Sequence, residues 1–285
     1  MPPSQSASSR RAGSSVPYEV VIRPGVGIVP NFSELWAYRG LFWSLANRTI
    51  TARYKQTLIG ILWGFARPIM TMVVLTVLFK GIARMEGSTP ITVLAGVVAW
   101  QLFANSLMTS SQSTVAYAKM ISKVYFPRMI IPASASITAL LDFLFGVIVL
   151  IALMLHYRVV PGWQVAALPL LMLMIMALSF GAGLWLSAIN VKYRDVRQVL
   201  GYIITFGMLL STVGYRRIAV PEEWREVYNL VNPMVSILDG FRWALLKHDP
   251  PDPRMLAVSA AVCMVILVTG MLFFHRMAPR FADVI

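Results

Sequence analysis

Apolar residues occur along this chain in long, nearly charge-free runs, which polar and basic segments separate. Residues 87–118 and 159–191 contain no charged side chain, and the other long runs contain at most one. A helix needs about 20 apolar residues to cross a bilayer. The pattern therefore predicts an all-α integral membrane protein with six transmembrane helices, near residues 61–82, 91–110, 130–155, 165–189, 199–215 and 256–274.

The composition supports the membrane interpretation. The 285 residues are 58% hydrophobic and 13% charged, about half the usual charged fraction. A soluble protein of this size could not cover its surface with so few polar groups, which argues against a soluble enzyme. The single cysteine, Cys263, lies within an apolar run, and the three histidines are far apart, so neither a disulfide framework nor a metal-ligand spacing is present.

Two segments precede the first predicted span. Residues 1–30 are rich in Ser and Pro and lack the apolar core of a signal peptide, so we expect a mobile tail. Residues 31–56 are predicted to form an amphipathic helix lying in the cytoplasmic interface of the membrane. Its polar face would consist of Gly40, Ser44, Asn47, Arg48, Thr51 and Lys55, and its apolar face of Leu35, Tyr38, Phe42 and Leu45.

The net charge of +13 is unevenly distributed along the chain. Six spans within residues 57–285 place both termini on one side, which receives 16 Lys and Arg against four Asp and Glu. The other side, with the external segment 216–254, receives nine basic and seven acidic residues. By the positive-inside rule both termini are predicted to be cytoplasmic, and the basic excess is a topology signal rather than a nucleic-acid footprint.

Asp142 is the only acidic residue inside a predicted span. A carboxylate in hydrocarbon needs a partner or a water-filled cavity. We expect a structural pairing with a neighbouring helix, and a role in proton coupling is the alternative. Small residues spaced by four, such as Ser179, Gly183 and Ser187, favour close helix packing within the chain over a dimer contact.

Five groups of short motifs follow one another along the chain. They are Ala52-Arg53-Tyr54-Lys55-Gln56-Thr57 with Leu62-Trp63 and Arg67-Pro68, Trp100-Gln101-Leu102-Phe103-Ala104, Lys123-Val124-Tyr125-Phe126-Pro127-Arg128, Asn190-Val191-Lys192-Tyr193-Arg194-Asp195-Val196-Arg197, and Asn232-Pro233-Met234 with Gly240-Phe241-Arg242-Trp243-Ala244. In this order, and with six spans, the chain resembles ABC transporter permeases that export polysaccharides, of the Wzm, KpsM and TarG types.

The resemblance implies a homodimer that binds two copies of a separate ATPase. The sequence contains no phosphate-binding loop of the Gly-x-x-x-x-Gly-Lys-Ser/Thr type, so we expect ATP and Mg on the partner and no cofactor on this chain. In the family, the loop between the second and third spans docks on the ATPase. Here that docking loop comprises Lys119, Ser122, Lys123, Tyr125, Phe126, Pro127 and Arg128, and the second cytoplasmic loop comprises Lys192, Arg194, Asp195 and Arg197.

The resemblance further implies an undecaprenyl-linked polysaccharide such as O-antigen as cargo, in the bacterial inner membrane. Because sugars stack on aromatic rings, the expected channel residues are Trp100, Phe103, Tyr202 and Phe206, although each could equally face lipid or the core. The external segment 216–254 is expected to form short re-entrant helices.

The sequence is also compatible with other functions. One is a permease of the same kind for capsule, teichoic acid, or a small lipid or drug. Another is an integral-membrane glycosyl or acyl transferase, which should show His, Asp or Glu clustered at one membrane face. The chain has only His248 beside Asp249, in a Pro-rich stretch, so we assign no catalytic or metal-binding residue and expect a transport subunit.

Overall fold

The structure is a computed structural model that describes residues 32–54, 60–85, 87–193, 195–215 and 221–281. Within these residues all regular secondary structure is helical, which confirms the all-α class. The predicted tail 1–30 lies outside them. The α-helices are α1 Phe32–Ala37, α2 Arg39–Tyr54, α3 Gly60–Thr76, α4 Pro90–Ala116, α5 Ala118–Ile121, α6 Ile130–Ile137, α7 Ala139–His156, α8 Leu168–Lys192, α9 Val196–Leu210, α10 Arg225–Val231, α11 Met234–Leu246 and α12 Pro253–Met277.

Five helical stretches of the described chain are long and apolar enough to cross a membrane. They coincide with five of the six predicted spans, and the first has the predicted bounds. The stretches are Ile61–Ile82, which ends in a π-helical turn, Pro90–Ala116, Ile130–His156, Trp163–Lys192 and Pro253–Arg280.

Two of the spans begin with the same local chemistry. At α4 the Thr89 side chain accepts a hydrogen bond from the Thr92 amide, and at α12 the Asp252 side chain accepts one from the Arg254 amide. A proline follows each capping residue, where its fixed φ suits the first helical turn and its missing N–H costs nothing.

The remaining predicted span, 199–215, corresponds to the shorter helix α9. Its 15 residues rise about 22 Å, which is less than the roughly 30 Å of hydrocarbon in a bilayer. Beyond Leu210 the backbone leaves the helix, and Thr212 has a φ of 55°, a left-handed conformation that β-branched residues rarely adopt. Ser211 to Gly214 are buried within the chain, an environment in which non-helical backbone is tolerated in membrane proteins.

Helix α4 lies in the centre of the bundle and packs against α8 through small polar residues. The Ser179 hydroxyl donates to the Ser106 hydroxyl at 2.8 Å, and the Asn190 amide donates to the Ser111 carbonyl at 3.1 Å. A Cβ on Gly183 would lie 2.6 Å from the Ser110 Oγ, so only glycine allows this separation. Small residues let helices approach closely in lipid, and here the approach is intramolecular.

Helices α8 and α12 approach still more closely. A Cβ on Gly181 would lie 2.5 Å from the Leu267 Cα, and one on Gly270 would overlap the Gly181 carbonyl. The two backbones therefore touch directly, without intervening side chains.

One end of the bundle contains a buried cluster that joins α2, the segment after α4 and the ends of α8 and α12. This basal cluster consists of Leu45, Ile121, Phe126, Met129, Ile130, Ile131, Leu184, Ala188, Phe274 and Phe281. The helix before the first span and the residues after the last span thus share one end, here called the basal end. An even number of crossings requires this arrangement.

The opposite, apical end contains α10 and α11, which confirms the expectation of short helices before the last span. Helix α11 is embedded in the bundle core, where Met234, Ile237, Leu238 and Phe241 pack with residues of α4 and α8. The apical segment is therefore part of the folded core rather than a loop lying over it.

Candidate coupling surface and transport path

Helices α1 and α2 rest on the basal end with the predicted apolar face inward. Leu45 belongs to the basal cluster, and Leu35, Tyr38 and Phe42 pack against it. Of the predicted polar face, Gly40, Ser44, Asn47 and Arg48 are exposed, Thr51 is half-buried, and Lys55 lies outside the described residues. Trp36 and Trp43, seven residues apart, are also exposed. Indole rings are enriched at membrane–water interfaces, so this surface is consistent with a helix that lies along one.

The predicted docking loop is anchored at two points. Ile121 and Phe126 are buried in the basal cluster, which fixes both ends of the turn between α5 and α6. Pro127 and Arg128 are half-buried. The exposed remainder of the predicted set is Lys119, Ser122, Lys123 and Tyr125. The structure thus divides this set into an exposed surface and an apolar support.

Helix α2 contacts the start of this loop. The Thr49 hydroxyl lies 3.1 Å from the Tyr117 hydroxyl, and the Arg48 guanidinium carbon lies 5.9 Å from the centre of the Tyr117 ring. Tyr117 directly follows α4 and precedes α5. A displacement of the loop would therefore reach α2 through Tyr117.

Asp142 has the partner that its position in a span requires. An Arg53 Nη nitrogen donates to the Asp142 carboxylate at 2.6 Å, and the Asn105 amide donates to the same oxygen at 3.1 Å. The Asp142 side chain is 14% exposed and that of Arg53 36% exposed. This ion pair joins α2 to α7, and Asn105 extends the contact to α4. The expected structural pairing is confirmed.

The second predicted loop emerges at the same end. The hydroxyls of Thr114 and Ser187 are 2.5 Å apart, so the basal ends of α4 and α8 lie side by side. Lys192, Asp195 and Arg197 are exposed, and Arg194 lies outside the described residues. Both loops therefore contribute basic side chains to one end of the molecule.

The four predicted channel aromatics separate into two pairs. Trp100 is 4% exposed and packs 5.1 Å from the half-buried Phe103, while Gly207 of α9 lies directly against the indole. Tyr202 and Phe206 are 67% and 60% exposed and lie on one face of α9. The first pair belongs to the core of one chain, and the second is available to cargo, lipid or another chain.

The amide side chains of the buried Asn229 and the half-buried Asn232 hold the apical end together. The Asn229 amide donates to the Met255 carbonyl at 2.9 Å and to the Ser259 hydroxyl at 3.2 Å, while the Ser236 hydroxyl donates to the Asn229 carbonyl oxygen. The Asn232 amide donates to the Ser211 hydroxyl at 2.7 Å. These bonds connect α10 to α11, to α12 and to the segment that follows α9.

Tyr215 and Tyr228 form a further apical contact, with their hydroxyls 3.4 Å apart. Burial raises the pKa of Tyr228, and the hydrogen bond to Tyr215 adds to the rise. Its hydroxyl therefore keeps its proton across the physiological range.

Arg242 lies within the last of the five motif groups, and the motif alone predicts no role for it. In the structure its side chain is 2% exposed, and its guanidinium donates to the carbonyls of Thr212 and Val213. A signal was present in the sequence: Arg242 is the one basic residue of the otherwise largely apolar α11, and Asp239 precedes it by one helical turn.

These features define a helical membrane protein with a basic basal surface that contacts the spans through α2. A model of the ABC-2 type transporter family matches residues 40–246, and the chain belongs to this family as a membrane subunit. It is 29% identical over 252 residues to an O-antigen export system permease protein of Myxococcus xanthus, covering 88% of this chain and 97% of that one. Two proteins of Klebsiella pneumoniae with the same description are each 25% identical over 243 residues, covering 85% of this chain and 93% of theirs.

Proposed function

We propose that this chain is the permease subunit of an ATP-driven exporter that moves a lipid-linked polysaccharide of the O-antigen kind across the bacterial inner membrane. The observation that carries the proposal is similarity over 85% or more of the chain to proteins described as O-antigen export permeases. The apolar helices fit a membrane path for a lipid-linked cargo.

The proposed partners are a second copy of this chain and two ATPase subunits. The exposed part of the docking loop, with Lys119, Lys123 and Tyr125, would meet the ATPase on the cytoplasmic side. The buried Ile121 and Phe126 support this role, because a loop anchored in the core transmits its displacement to the helices.

The contacts at the basal end connect the docking loop to the membrane-spanning helices, to which they would transmit that displacement. Tyr117 contacts Thr49 and Arg48 of α2, and Arg53 of the same helix pairs with Asp142 of α7. Movement of the loop would therefore displace α2 and the third span together. Such a rigid-body shift is one of the ordinary forms of conformational change in transporters.

For the cargo, the proposal assigns Tyr202 and Phe206 to the polysaccharide path. Both rings are exposed on α9, which is otherwise sparsely covered by its own chain. Rings four residues apart on one helix form a continuous surface along which sugar units could stack. In a homodimer the same face of two copies would border a shared passage.

Deletion of the gene tests the proposed cargo. We expect loss of surface polysaccharide on gels of cell-envelope extracts, accumulation of undecaprenyl-linked polymer inside the cell, and recovery of both on re-expression of the full chain. Loss of capsule or teichoic acid instead would assign another polymer. Unchanged surface glycans with no internal polymer would contradict the proposal.

Co-purification with a co-expressed ABC ATPase tests the docking surface. We expect Tyr125→Ala to reduce the amount of bound ATPase several-fold, because an exposed ring at the centre of the loop would be lost. Tyr157→Ala is the matched control, since Tyr157 is similarly exposed but lies at the apical end of α7. Equal retention of the ATPase by both variants would place the docking surface elsewhere.

A further inference from the structure

Arg242 occupies an unusual position for a charged residue in this fold. Its side chain is among the largest fully buried ones of the described chain. The guanidinium lies 3.5 Å from the Asp239 carboxylate and 3.5 Å from the Thr92 carbonyl of α4. Burying a charge is costly unless polar groups surround it, and here carbonyl oxygens from two segments do so.

Two of those carbonyls belong to residues 211–215, the exit segment that follows α9. One terminal guanidinium nitrogen donates both to the Thr212 carbonyl and, at 2.8 Å, to the Val213 carbonyl. A helix that stops leaves its last carbonyls without intrahelical donors, and the segment that follows must be held by other groups. Arg242 supplies donors to this exit segment from 29 and 30 positions further along the chain.

The backbone at this point is held against its own preference. Thr212 has a φ of 55°, and a β-branched residue adopts left-handed geometry only where the surroundings impose it. The Asn232 amide holds the neighbouring Ser211 hydroxyl at 2.7 Å. Polar groups of the apical helices thus fix both residues at the bend.

The contact between Arg242 and the Val213 carbonyl is tightly packed against α4. A Cβ on Gly96 of α4 would lie 2.6 Å from the Val213 carbonyl oxygen and 2.9 Å from an Arg242 Nη nitrogen. The absence of a side chain at Gly96 therefore lets the exit segment and the guanidinium approach α4. The apical end of α9 is enclosed by α4 and α11.

The rest of α9 is far less enclosed. Leu200 is its one buried residue, whereas Tyr202, Ile203 and Phe206 are all exposed. One helix therefore has a tightly held apical end and a loosely held body.

We infer that Arg242 is a positioning residue that fixes the apical end of the fifth span to α4 and α11, so that α9 moves during transport by pivoting about Thr212 and Val213. The fixed apical end follows from the contacts of Arg242, Asn232 and Gly96, and the movement of α9 in export rests on the proposed function. In this arrangement the basal end of α9 makes the larger excursion, and the apical end keeps its place.

The contact is tested first by hydrogen–deuterium exchange of the purified full-length permease. Arg242→Gln should accelerate exchange of the amides in residues 207–215 by about tenfold, because hydrogen bonds from a charged group are lost. Arg242→Lys keeps the charge but has only one side-chain nitrogen, so its amide exchange rate in residues 207–215 should lie between those of the parent protein and Arg242→Gln. Arg254 is an exposed basic residue of the apical end. Arg254→Gln is therefore the control and should leave these exchange rates unchanged.

A second variant reaches the same contact from α4. Gly96→Ala should produce the same local acceleration in residues 207–215, since the added methyl group displaces the guanidinium and the Val213 carbonyl. Gly40→Ala is the matched control, because a Cβ there has nothing within 4 Å. Unchanged exchange in both Arg242→Gln and Gly96→Ala would overturn the assignment.

The role in transport is tested by comparing export with ATP hydrolysis in the assembled transporter. Arg242→Gln should lower the amount of polymer exported per ATP hydrolysed at least several-fold, and Arg242→Lys should restore part of that ratio. A merely structural role would lower both activities in proportion and leave the ratio unchanged. That result would overturn the positioning role even if the exchange data were as expected.

The fixed position of the apical end is tested by a cross-link. In a Cys263→Ala background, Ser211→Cys with Asn232→Cys introduces two thiols where the side chains already touch. Export should persist after a short thiol cross-linker joins them, because these residues are not expected to separate. Loss of export on cross-linking, with recovery on reduction, would overturn the pivot. If no polysaccharide is exported by the parent protein, the proposed function fails while the exchange results still decide the contact.

Discussion

The basal end of the bundle is joined chiefly by an apolar cluster, whereas at the apical end polar side chains that bond to backbone and to one another supplement the apolar packing of α11. At the basal end, α2 and the docking loop share the cluster around Leu45 and Phe126. At the apical end, Asn229, Asn232 and Arg242 connect three helices and the exit segment of α9.

This difference indicates what each end can do. Apolar contacts are non-directional, so one helix can change its position relative to another without breaking a specific bond. Hydrogen bonds weaken steeply when distance or angle changes, so a buried polar network specifies one arrangement. The basal end is therefore suited to movement under a docking partner, and the apical end is suited to keep its geometry.

The largest expected effect on stability concerns Phe126 in the basal cluster. Phe126→Ala should lower the free energy of unfolding by about 3–5 kcal/mol, because it empties a buried ring site. Phe126→Leu should cost less than about 1.5 kcal/mol if the cluster adapts as apolar cores do. Unfolding of the purified permease in detergent measures both, with the exposed Val124→Ala as a control near zero. Equal losses for Ala and Leu would contradict an adaptable basal cluster.

At the apical end, an apolar replacement of Asn229 should lower the stability, because it removes hydrogen bonds. Asn229→Leu keeps the number and branching of the side-chain heavy atoms but removes the donors to Met255 and Ser259 and the acceptor for Ser236, so we expect a loss of about 1–3 kcal/mol. Asn47→Leu, on the exposed face of α2, should change stability by less than about 0.5 kcal/mol. A tolerated Asn229→Leu would remove the contrast between the two ends.

The smallest effect is expected at the ion pair between α2 and α7, which is partly exposed. Arg53→Ala should cost about 1–2 kcal/mol, since it removes one ion partner of the more buried Asp142. Asp142→Asn should cost less than about 1 kcal/mol, because it keeps a hydrogen-bonding group and leaves a more exposed arginine. A double-mutant cycle at low and high salt measures the coupling. A reversed order would show that the burial of Asp142 does not set the cost.

The spans were predictable because hydrophobic length is a property of a contiguous segment. The first span has the predicted bounds Ile61–Ile82, and the face of α2 that contains Leu45 was identified from helical spacing alone. The need of Asp142 for a partner was also predictable, because a carboxylate within a span is costly. Its identity was not, since Arg53 lies 89 positions away and the spans must fold before the two meet.

The end of the fifth span could not be predicted for a similar reason. The charge-free run continues to Tyr215, but the helix ends at Leu210, where the following segment bonds to Arg242 from α11. The exposure of the aromatic residues also depends on contacts that are distant in sequence. The spacing of Tyr202 and Phe206 placed them on one face, but no local pattern distinguished their exposure from the burial of Trp100.

The direct contact between Gly181 and Gly270 has a mechanical consequence. Two backbones that touch have no flexible side chains between them to absorb a shift, so α8 and α12 must translate and rotate together. The serine contacts of α8 with α4 extend this constraint to a third helix. Relative movement within one subunit is therefore easier for the helices outside this group of three, and among those that run through the bundle the first span and the body of α9 have the least surface covered by their own chain.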